Sequence, residues 1–435
     1  MAVYQSILDA GWLSLLRAGA TDVWDFTRDQ YLRAGSFGAS GVSITRASTG
    51  YAETPAGTLV NFGSGVLRRT DRGVLIEGAR TNLVLRSQEF DNAYWEKRVD
   101  SSVTTVTANT HVAPDGTTTA DSLNDVSTTN FAEIRNSGAS LISVTGSTQY
   151  VGSIYVRKTT GATTFPQVYL FSSGGASKTA AVFLDTNTGT ATARTGAAPD
   201  AFSVSALADY WRVQWSITTA AADNLLGMYI TPTFASLPVS AGASLDNSVT
   251  GTVVCWGAQL EEAAFASSYI PTVASTVTRA ADEVLVNPYT FPAPFSAYAE
   301  YVPGGNAASQ NAALTFAVTT ASQQIYIGNN IGGVTQRSAS LYVRNSADQA
   351  YLDAGAGTAN VGATVRQAVR VGANDFASSV GGSAVLTDTS GTVPTMDRIR
   401  FGNDVDNTQF MFGYLRRAAI FPSALSDAQL QAITT

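Results

Sequence analysis

The chain has 435 residues, which is enough for two or three domains that each bury a hydrophobic core. Charged residues make up only 14% of it, so the surface is neutral and rich in hydroxyl groups, and a net charge of −7 with no run of Lys or Arg argues against a nucleic-acid partner. A single cysteine, Cys255, and a single histidine, His111, exclude a structural zinc site and dithiol chemistry.

The first 24 residues predict a short amphipathic helix that ends at Gly19. Its apolar side chains at helical spacing are Ile7, Leu8, Trp12, Leu15 and Leu16. Asp9 and Arg17 interrupt the segment, so it does not fit a signal peptide, and no run of about 18 apolar residues predicts a membrane span. Because no neighbouring helix is predicted to cover this stripe, we expect residues 1–24 to dock onto another protein. The alternative is that the helix covers one end of the domain that follows.

Beyond residue 28 the pattern predicts an all-β chain of β-sandwiches, because short alternating stretches are separated by turn residues at intervals of about ten positions. Clear strand candidates are residues 103–108, 150–157, 165–171, 210–217 and 226–233. Three prolines within residues 287–294 mark a boundary, after which we expect a second sandwich. The chain closes with a strand over residues 410–421 and a short helix that opens on a capping box of Ser426 and Gln429.

No local motif predicts an enzyme. His111 lies in a polar stretch that runs into a Pro-Asp-Gly turn, and the chain has no GxSxG motif, no phosphate-binding loop and no EF-hand spacing. Paired carboxylates of the glycosidase type stay open, because such pairs converge from distant strands and leave no local spacing to read.

Strand alternation divides the side chains of four strands into an inward and an outward set. The inward set is Ile154, Val156, Val168, Leu170, Trp211, Val213, Trp215, Ile217, Leu226, Met228 and Ile230, and Trp256 is also expected in the core. If the four strands share a sheet, its outer face mixes aromatic rings, which stack on sugar C–H groups, with side chains that bond sugar hydroxyls. The candidate carbohydrate-binding residues on that face are Tyr155, Arg157, Gln167, Tyr169, Arg212, Gln214 and Tyr229. The alternative is an ordinary exposed face, or one buried against a neighbouring subunit.

Six segments carry distinctive motifs, namely residues 44–50 (ITRASTG), 73–83 (GVLIEGARTNL), 87–95 (SQEFDNAYW), 256–261 (WGAQLE), 268–272 (SYIPT) and 278–282 (TRAAD). Together they resemble the virion appendage proteins, head spikes or tail fibres, of tailed phages and related gene transfer agents, over about residues 20–285. Residues 413–430 are similar to the end of concanavalin-like lectin domains in the same proteins. The resemblance implies an N-terminal anchor and arm (1–85), a carbohydrate-binding-module-like jelly roll (86–286) and a concanavalin-like lectin sandwich (287–435).

Glu77, Arg80 and Asn82 match the pattern of these proteins, and we expect Arg80 and Asn82 to tie the arm to the sandwich through hydrogen bonds to backbone carbonyls. Some carbohydrate-binding jelly rolls hold a structural calcium ion with an Asp in their last strand. The corresponding residues 252–260 contain no Asp. In the second sandwich the loop 403–407 offers oxygen ligands, but its composition is more typical of a solvated turn.

We therefore expect a non-enzymatic protein of the virion surface that binds bacterial surface polysaccharide and promotes attachment of the particle. It would assemble in the host cytoplasm, form a homo-oligomer and bind other virion proteins through its N-terminal segment. We expect no cofactor, no metal site, no nucleic-acid partner and no membrane insertion. The alternatives are a capsule or lipopolysaccharide depolymerase that uses paired carboxylates, and a purely structural adaptor between the particle and another spike protein.

Overall fold

The computed structural model describes residues 10–98, 104–129, 132–160, 164–237, 249–305, 311–329 and 337–435. Almost all of its regular structure is β, which confirms the predicted fold class. Within these residues the α-helices are Ala10–Arg17 and Asp427–Thr434, and a single 3₁₀ turn spans Gly138–Ser140. The chain divides into a central unit, Glu53–Asn61 with Arg80–Arg279, and a C-terminal unit, Met1–Ala52 with Phe62–Ala79 and Ala280–Thr435.

The central unit contains two antiparallel sheets with a hydrophobic core between them. Sheet A has the strand order Thr104–His111, Ala120–Asp125, Gly251–Glu262, Gln149–Arg157, Tyr210–Thr218, Phe202–Ala206. Sheet B has the order Glu96–Lys97, Ile134–Arg135, Leu225–Thr231, Gln167–Ser173, Lys178–Leu184, Ala191–Ala193, with Ile142–Ser143 also paired to Leu225–Thr231. A separate two-stranded ladder joins Val277–Arg279 to Arg80–Asn82.

The C-terminal unit is also built around two sheets. Sheet C has the order Ser36–Phe37, Gln30–Arg33, Asp22–Asp25, Gly413–Phe421, Phe295–Val302, Val365–Gly372, Asp375–Val380, Leu386–Asp388; Gly73–Ile76 pairs with both Gly413–Phe421 and Arg69–Thr70. Sheet D has the order Ala347–Asp353, Ala339–Asn345, Gln323–Asn329, Asn311–Ala317, Arg398–Phe401, Glu283–Val286, Ser43–Thr45. Outside the four sheets and the ladder described above, the described chain has two more strands, Gly50–Glu53 and Leu59–Phe62.

The N-terminal part of the chain belongs to the C-terminal unit, and this differs from the predicted arm over residues 1–85. Strand Asp22–Asp25 pairs with Gly413–Phe421, nearly 400 residues later, and Trp24 is fully buried in the core between sheets C and D. The unit resumes at Ala280 rather than at residue 287. The Pro-rich segment marks the start of one strand, Phe295–Val302, and not the boundary of the unit.

Helix Ala10–Arg17 packs within the C-terminal unit. The expectation that no neighbouring helix covers its apolar stripe is therefore wrong. Trp12 and Leu15 are buried in a cluster with Phe421, Leu430 and Ile433, and Trp12 Nε1 donates a hydrogen bond to Asp25 at 2.8 Å. The stripe is covered by the far end of the chain, which sequence periodicity could not reveal. The predicted positions Ile7 and Leu8 lie outside the described residues.

The helix that covers it, Asp427–Thr434, begins as predicted. Ser426 Oγ accepts a hydrogen bond from Gln429 N at 3.3 Å, and Gln429 Oε1 accepts one from Ser426 N at 2.9 Å. These two bonds satisfy amide groups that a helix N-terminus otherwise leaves without partners. The predicted capping box is confirmed.

A buried ion cluster fixes the N-terminal strands of the C-terminal unit. Asp282 accepts from Arg46 Nη1 at 2.8 Å and from the Arg68 guanidinium, while Arg68 Nη1 also donates to Glu77 at 2.7 Å. All four side chains are at most 5% exposed. Three of the six motif segments therefore meet in one structural cluster.

Candidate functional site

The four strands that supplied the predicted binding residues lie in two different sheets. Gln149–Arg157 pairs with Tyr210–Thr218 in sheet A, whereas Gln167–Ser173 pairs with Leu225–Thr231 in sheet B. The expectation of a single outer face is therefore wrong. Tyr155, Arg157, Arg212 and Gln214 belong to sheet A, and Gln167, Tyr169 and Tyr229 belong to sheet B. Alternation identifies the side chains that face a core, but not the sheet that a strand joins.

The inward set is buried almost as predicted. The residues that are at most 3% exposed are Ile154, Val156, Val168, Leu170, Val213, Trp215, Ile217, Leu226, Met228 and Ile230. Trp256 is fully buried as well. Trp211 differs, because it is half-buried: Lys158 Nζ lies 4.5 Å from its ring centroid, and its Nε1 donates to Thr186 O at 2.8 Å.

On sheet A the predicted residues Tyr155 and Arg212 are part of the scaffold rather than an open surface. Tyr155 is only 1% exposed, and its ring contacts those of Trp256 and Tyr269 at centroid distances of 5.3 and 6.1 Å. Arg212 lies over the Tyr155 ring and donates to Ser267 O at 2.5 Å. The segment after strand Gly251–Glu262 thus returns across this face, which makes Tyr155 unavailable to a ligand and binds the half-buried Arg212 to the scaffold.

The other two predicted residues of sheet A do not form a binding face with them. Gln214 donates to Ser203 Oγ at 2.6 Å and accepts from Ala266 N at 3.2 Å, so its amide holds neighbouring segments. Arg157 is exposed. Burial and the charge of Arg157 both lower the pKa of His111, whose Nδ1 lies 2.9 Å from Thr110 Oγ1.

The returning segment is held by residues of the sequence motifs. Glu261 accepts from both the N–H and the hydroxyl of Ser267, at 2.8 and 2.5 Å, and Gln259 accepts from Ile270 N at 2.7 Å. Burial raises the pKa of the Glu261 carboxyl. Asn82 donates to Ala258 O and Ile270 O at 3.2 and 2.8 Å, which confirms its predicted bonds to backbone carbonyls. Arg80 lies over the ring of Phe265, 5.5 Å from its centroid.

The outer face of sheet B presents the better candidate, because a row of aromatic and polar side chains that is open to solvent at Glu96, Arg135 and Tyr169 runs across neighbouring strands. A second, mostly buried row lies beside it. The strand registers place Glu96, Arg135, Tyr229, Tyr169 and Ala181 in one row. The next row contains Glu133, Thr231, Gln167, Phe183 and Thr192. We call the first row, together with the half-buried Phe171, the sheet B platform.

Two stacked tyrosines form the centre of the sheet B platform. The rings of Tyr169 and Tyr229 are 4.5 Å apart and nearly parallel, with an interplanar angle of 13°. Tyr169 donates its hydroxyl to Glu133, and burial together with this carboxylate raises the pKa of Tyr169 well above its ordinary value. Tyr169 is half-buried and Tyr229 is 8% exposed, so a ligand would reach mainly Tyr169.

Arg135 is fixed at the edge of this pair. Its Nε and Nη2 donate to Glu96 at 3.1 Å each, and its Nη1 donates to Glu133 at 3.0 Å. Its guanidinium carbon lies 5.9 Å from the Tyr229 ring centroid. No sequence pattern indicates Arg135, Glu96 or Glu133. Arg135 and Glu96 lie in the strands Ile134–Arg135 and Glu96–Lys97, which are only two residues long and show no alternation.

Gln167, the third predicted residue of sheet B, is fully buried and not open to a ligand. Among the described residues neither atom of its side-chain amide has a hydrogen-bond partner, and the same is true of Thr231 Oγ1 on the paired strand. Buried polar atoms without partners each carry a desolvation penalty of about 1–3 kcal/mol. Gln167, Thr231 and Phe183 are all buried, so this second row is not part of the platform's surface.

Arg135 pairs with both carboxylates at the platform. Both of its neighbouring carboxylates, Glu96 and Glu133, are bound to the same guanidinium, so neither is placed as a free proton donor. The described residues contain no group of three or more His, Cys, Asp and Glu side chains that could hold a metal ion. The loop 403–407 differs from the solvated turn that we expected, because Asn403 and Asp404 are buried and Asp404 accepts hydrogen bonds from Thr408 and Gln409. No helix in the described parts of the chain has the length and apolar character needed to cross a membrane.

Comparison with known proteins gives structural similarities only. No family model matches the chain, and no curated protein matches its sequence. The CBM40 module of a Ruminococcus gnavus IT-sialidase, bound to α2,3-sialyllactose, is 13% identical with a TM-score of 0.28 and covers 33% of this chain and 84% of its own. Domain 4 of the Geobacillus stearothermophilus arabinanase AbnA, in complex with arabinotriose, is 12% identical with a TM-score of 0.28. The match covers 39% of this chain and 82% of that domain. The N-terminal tandem of CBM22 domains from a Paenibacillus barcinonensis protein is 11% identical with a TM-score of 0.25. The match covers 81% of this chain and 99% of that tandem.

Proposed function

We propose that the chain is a non-enzymatic surface protein of a phage-like particle that binds bacterial surface polysaccharide through the sheet B platform and so promotes attachment. The motif resemblance supports the particle, and the side chains of the platform support the sugar. The protein would be presented in several copies as a homo-oligomer, because appendages of symmetric particles repeat and weak sugar sites gain strength from multivalency.

The stacked pair Tyr169–Tyr229 with Arg135 at its edge is the observation that carries this proposal. The half-buried ring of Tyr169 and the neighbouring Phe171 offer an apolar surface for the C–H groups of a pyranose. Arg135 has five N–H donors, of which the bonds to Glu96 and Glu133 use three, so the remaining donors can bind sugar hydroxyls. The arrangement is held rigidly before any ligand arrives, which lowers the entropic cost of binding.

Affinity electrophoresis in gels that contain host surface polysaccharide tests the proposal. Tyr169→Ala should weaken binding several-fold, since one aromatic contact contributes about 1 kcal/mol. Tyr169→Phe keeps the ring and should retain most of the binding. Phe202→Ala, which removes a 40% exposed aromatic side chain from the edge of sheet A, is the matched control and should bind like the parent.

The outcomes separate the competing functions. Equal retardation of Tyr169→Ala and the parent would remove the sheet B platform as the site. New reducing ends in the polysaccharide after incubation with the protein would indicate a depolymerase instead of a binder. No retardation of the parent by any surface polysaccharide of the host would favour the structural adaptor. Light scattering measures the number of copies, and a monomer would remove the multivalency part of the proposal.

A further inference from the structure

The outer face of sheet D, in the C-terminal unit, carries a row of three tyrosines. Tyr326 pairs with Tyr342, and Tyr342 pairs with Tyr351, so the three residues lie side by side on adjacent strands. Adjacent strands are about 4.8 Å apart, so the row spans about 10 Å. The alternate residues Ile325, Ile327, Leu341, Val343 and Leu352 are buried in the core between sheets C and D, which places the tyrosines on the opposite face.

The row is ordered and becomes more exposed towards the edge of the sheet. The rings of Tyr326 and Tyr342 are 6.0 Å apart and nearly parallel, with an interplanar angle of 15°. Tyr326 is 5% exposed, Tyr342 is half-buried and Tyr351 is 41% exposed. Tyr342 donates its hydroxyl to Asp348, and Tyr351 donates to Asp353 at 3.2 Å, so both outer rings are held at their hydroxyl ends.

Amide groups on the same edge are also fixed in place. Gln349 Oε1 accepts from the N–H and hydroxyl of Thr392 at 2.9 and 3.1 Å, and Asn345 Nδ2 donates to Thr392 Oγ1 at 2.9 Å. Gln349 and Asn345 are both half-buried. Asn345 alternates with the core residues Leu341 and Val343, and Gln349 and the core residue Phe376 both lie beside Gly391, so these amides hold the core side of the edge and are not beside the tyrosines.

Charge restricts the class of ligand. Asp348 and Asp353 bind the tyrosine hydroxyls, and, after burial, the charges of Asp404 and Asp406 raise the pKa of Tyr326, which places two more carboxylates near the inner end of the row. The surrounding strands carry three guanidinium groups, those of Arg344, Arg398 and Arg400, and Arg398 is paired with Asp397, so the carboxylates stay in excess. The face would repel an acidic polysaccharide and is suited to an uncharged one.

We propose that the tyrosine row of sheet D, Tyr326, Tyr342 and Tyr351, is a second carbohydrate-binding face that takes an uncharged polysaccharide chain laid across the strands. Sugar rings stack on the exposed aromatic groups, and their hydroxyls bind the carboxylates of Asp348 and Asp353. A protein partner is a poorer match, because it would have to bury several carboxylates without enough cations to compensate them. This inference rests on the proposed function only in taking a polysaccharide as the ligand. Its residues belong to the C-terminal unit, whereas the sheet B platform belongs to the central unit.

The test uses affinity electrophoresis of the full chain in gels that contain dextran, mannan or galactomannan as uncharged probes, and alginate as an acidic one. The double variant Tyr342→Ala/Tyr351→Ala should lose most of the retardation by the uncharged probe that binds the parent best. Tyr351→Phe keeps the ring and should retain it. Alginate should retard the parent less than that uncharged probe does.

Tyr169→Ala, run in the same gels, separates this inference from the proposed function. Loss of binding in the double variant but not in Tyr169→Ala supports the tyrosine row and leaves the sheet B platform to be decided by the experiment with host polysaccharide. Loss in Tyr169→Ala alone, with the double variant unchanged, overturns the tyrosine row and leaves the platform in place. Failure of every uncharged probe to retard the parent also overturns the inference, whatever the host polysaccharide does in the earlier experiment. A melting curve close to that of the parent is expected for Tyr351→Phe and shows that its fold is intact.

Discussion

Replacing Asp282 by Asn should destabilise the C-terminal unit by about 3–5 kcal/mol, the range measured when one partner of a buried ion pair is removed. Asp282 is 1% exposed and neutralises the fully buried guanidinium groups of Arg46 and Arg68, while its Oδ2 also accepts from Glu77 N at 3.0 Å. In the variant two buried positive charges face the single carboxylate of Glu77. One charge is then left uncompensated in a place that water does not reach, and the NH2 group of the new Asn side chain faces donors in either orientation, because both oxygens of Asp282 accept hydrogen bonds.

Chemical denaturation together with hydrogen exchange measures this loss and locates it. Exchange should accelerate in strands of the C-terminal unit such as Phe295–Val302, and stay unchanged in Gln149–Arg157 of the central unit. Asp397→Asn is the matched control, because Asp397 is paired with Arg398 at 2.7 Å but is 50% exposed, and its loss should change stability by less than about 1 kcal/mol. A loss for Asp282→Asn no larger than that of the control would refute the argument that burial makes this cluster strong.

Three further predictions concern stability. Burial raises the pKa of Asp121 to about 6, so its stabilising contribution is present at low pH and is lost as the pH rises through 6. Acidification from pH 7.5 to 5 should therefore raise the free energy of unfolding of the parent by about 1 kcal/mol more than that of Asp121→Asn. The same pH dependence of the free energy of unfolding in both proteins, measured by denaturation, would contradict this. Trp215→Ala should cost about 3–5 kcal/mol, whereas Trp215→Phe should cost less because the indole N–H that it removes has no hydrogen-bond partner among the described residues; equal losses of the two variants would contradict the packing argument. Ser426→Ala removes the cap of helix Asp427–Thr434 and should lower the free energy of unfolding by about 1 kcal/mol, which thermal melts detect; an unchanged melt would show that the cap is dispensable.

Local periodicity predicted the parts of the fold that depend on neighbouring residues. Alternation in the strands around Val213 and Met228 identified the buried side chains, because a strand with one face on a core repeats every two residues. The spacing of Ser426 and Gln429 predicted the capping box for the same reason, since both bonds close within three residues. These features need no knowledge of the rest of the chain.

The candidate site could not be predicted in the same way, because it depends on partners far apart in sequence. Tyr155 and Tyr169 follow the same outward pattern, yet Tyr155 is covered by a segment that follows more than 100 residues later, and Tyr169 stays half exposed to solvent. Arg46 meets Asp282 across 236 residues. The residues that fix the platform, above all Arg135, lie in strands too short to show any period.

The positions of the motif residues bear on what the resemblance can mean. Those that are buried, and that hold segments of their own unit together, are Arg46, Glu77, Asn82, Ser87, Gln259, Glu261, Tyr269, Thr272, Arg279 and Asp282. The sheet B platform contains none of these residues, and neither does the tyrosine row of sheet D. A buried polar network tolerates few changes, because every member satisfies another, whereas exposed aromatic and amide groups can be exchanged at little cost to stability. The motifs therefore specify the scaffold, and both proposed binding faces are formed by side chains that the motifs leave out.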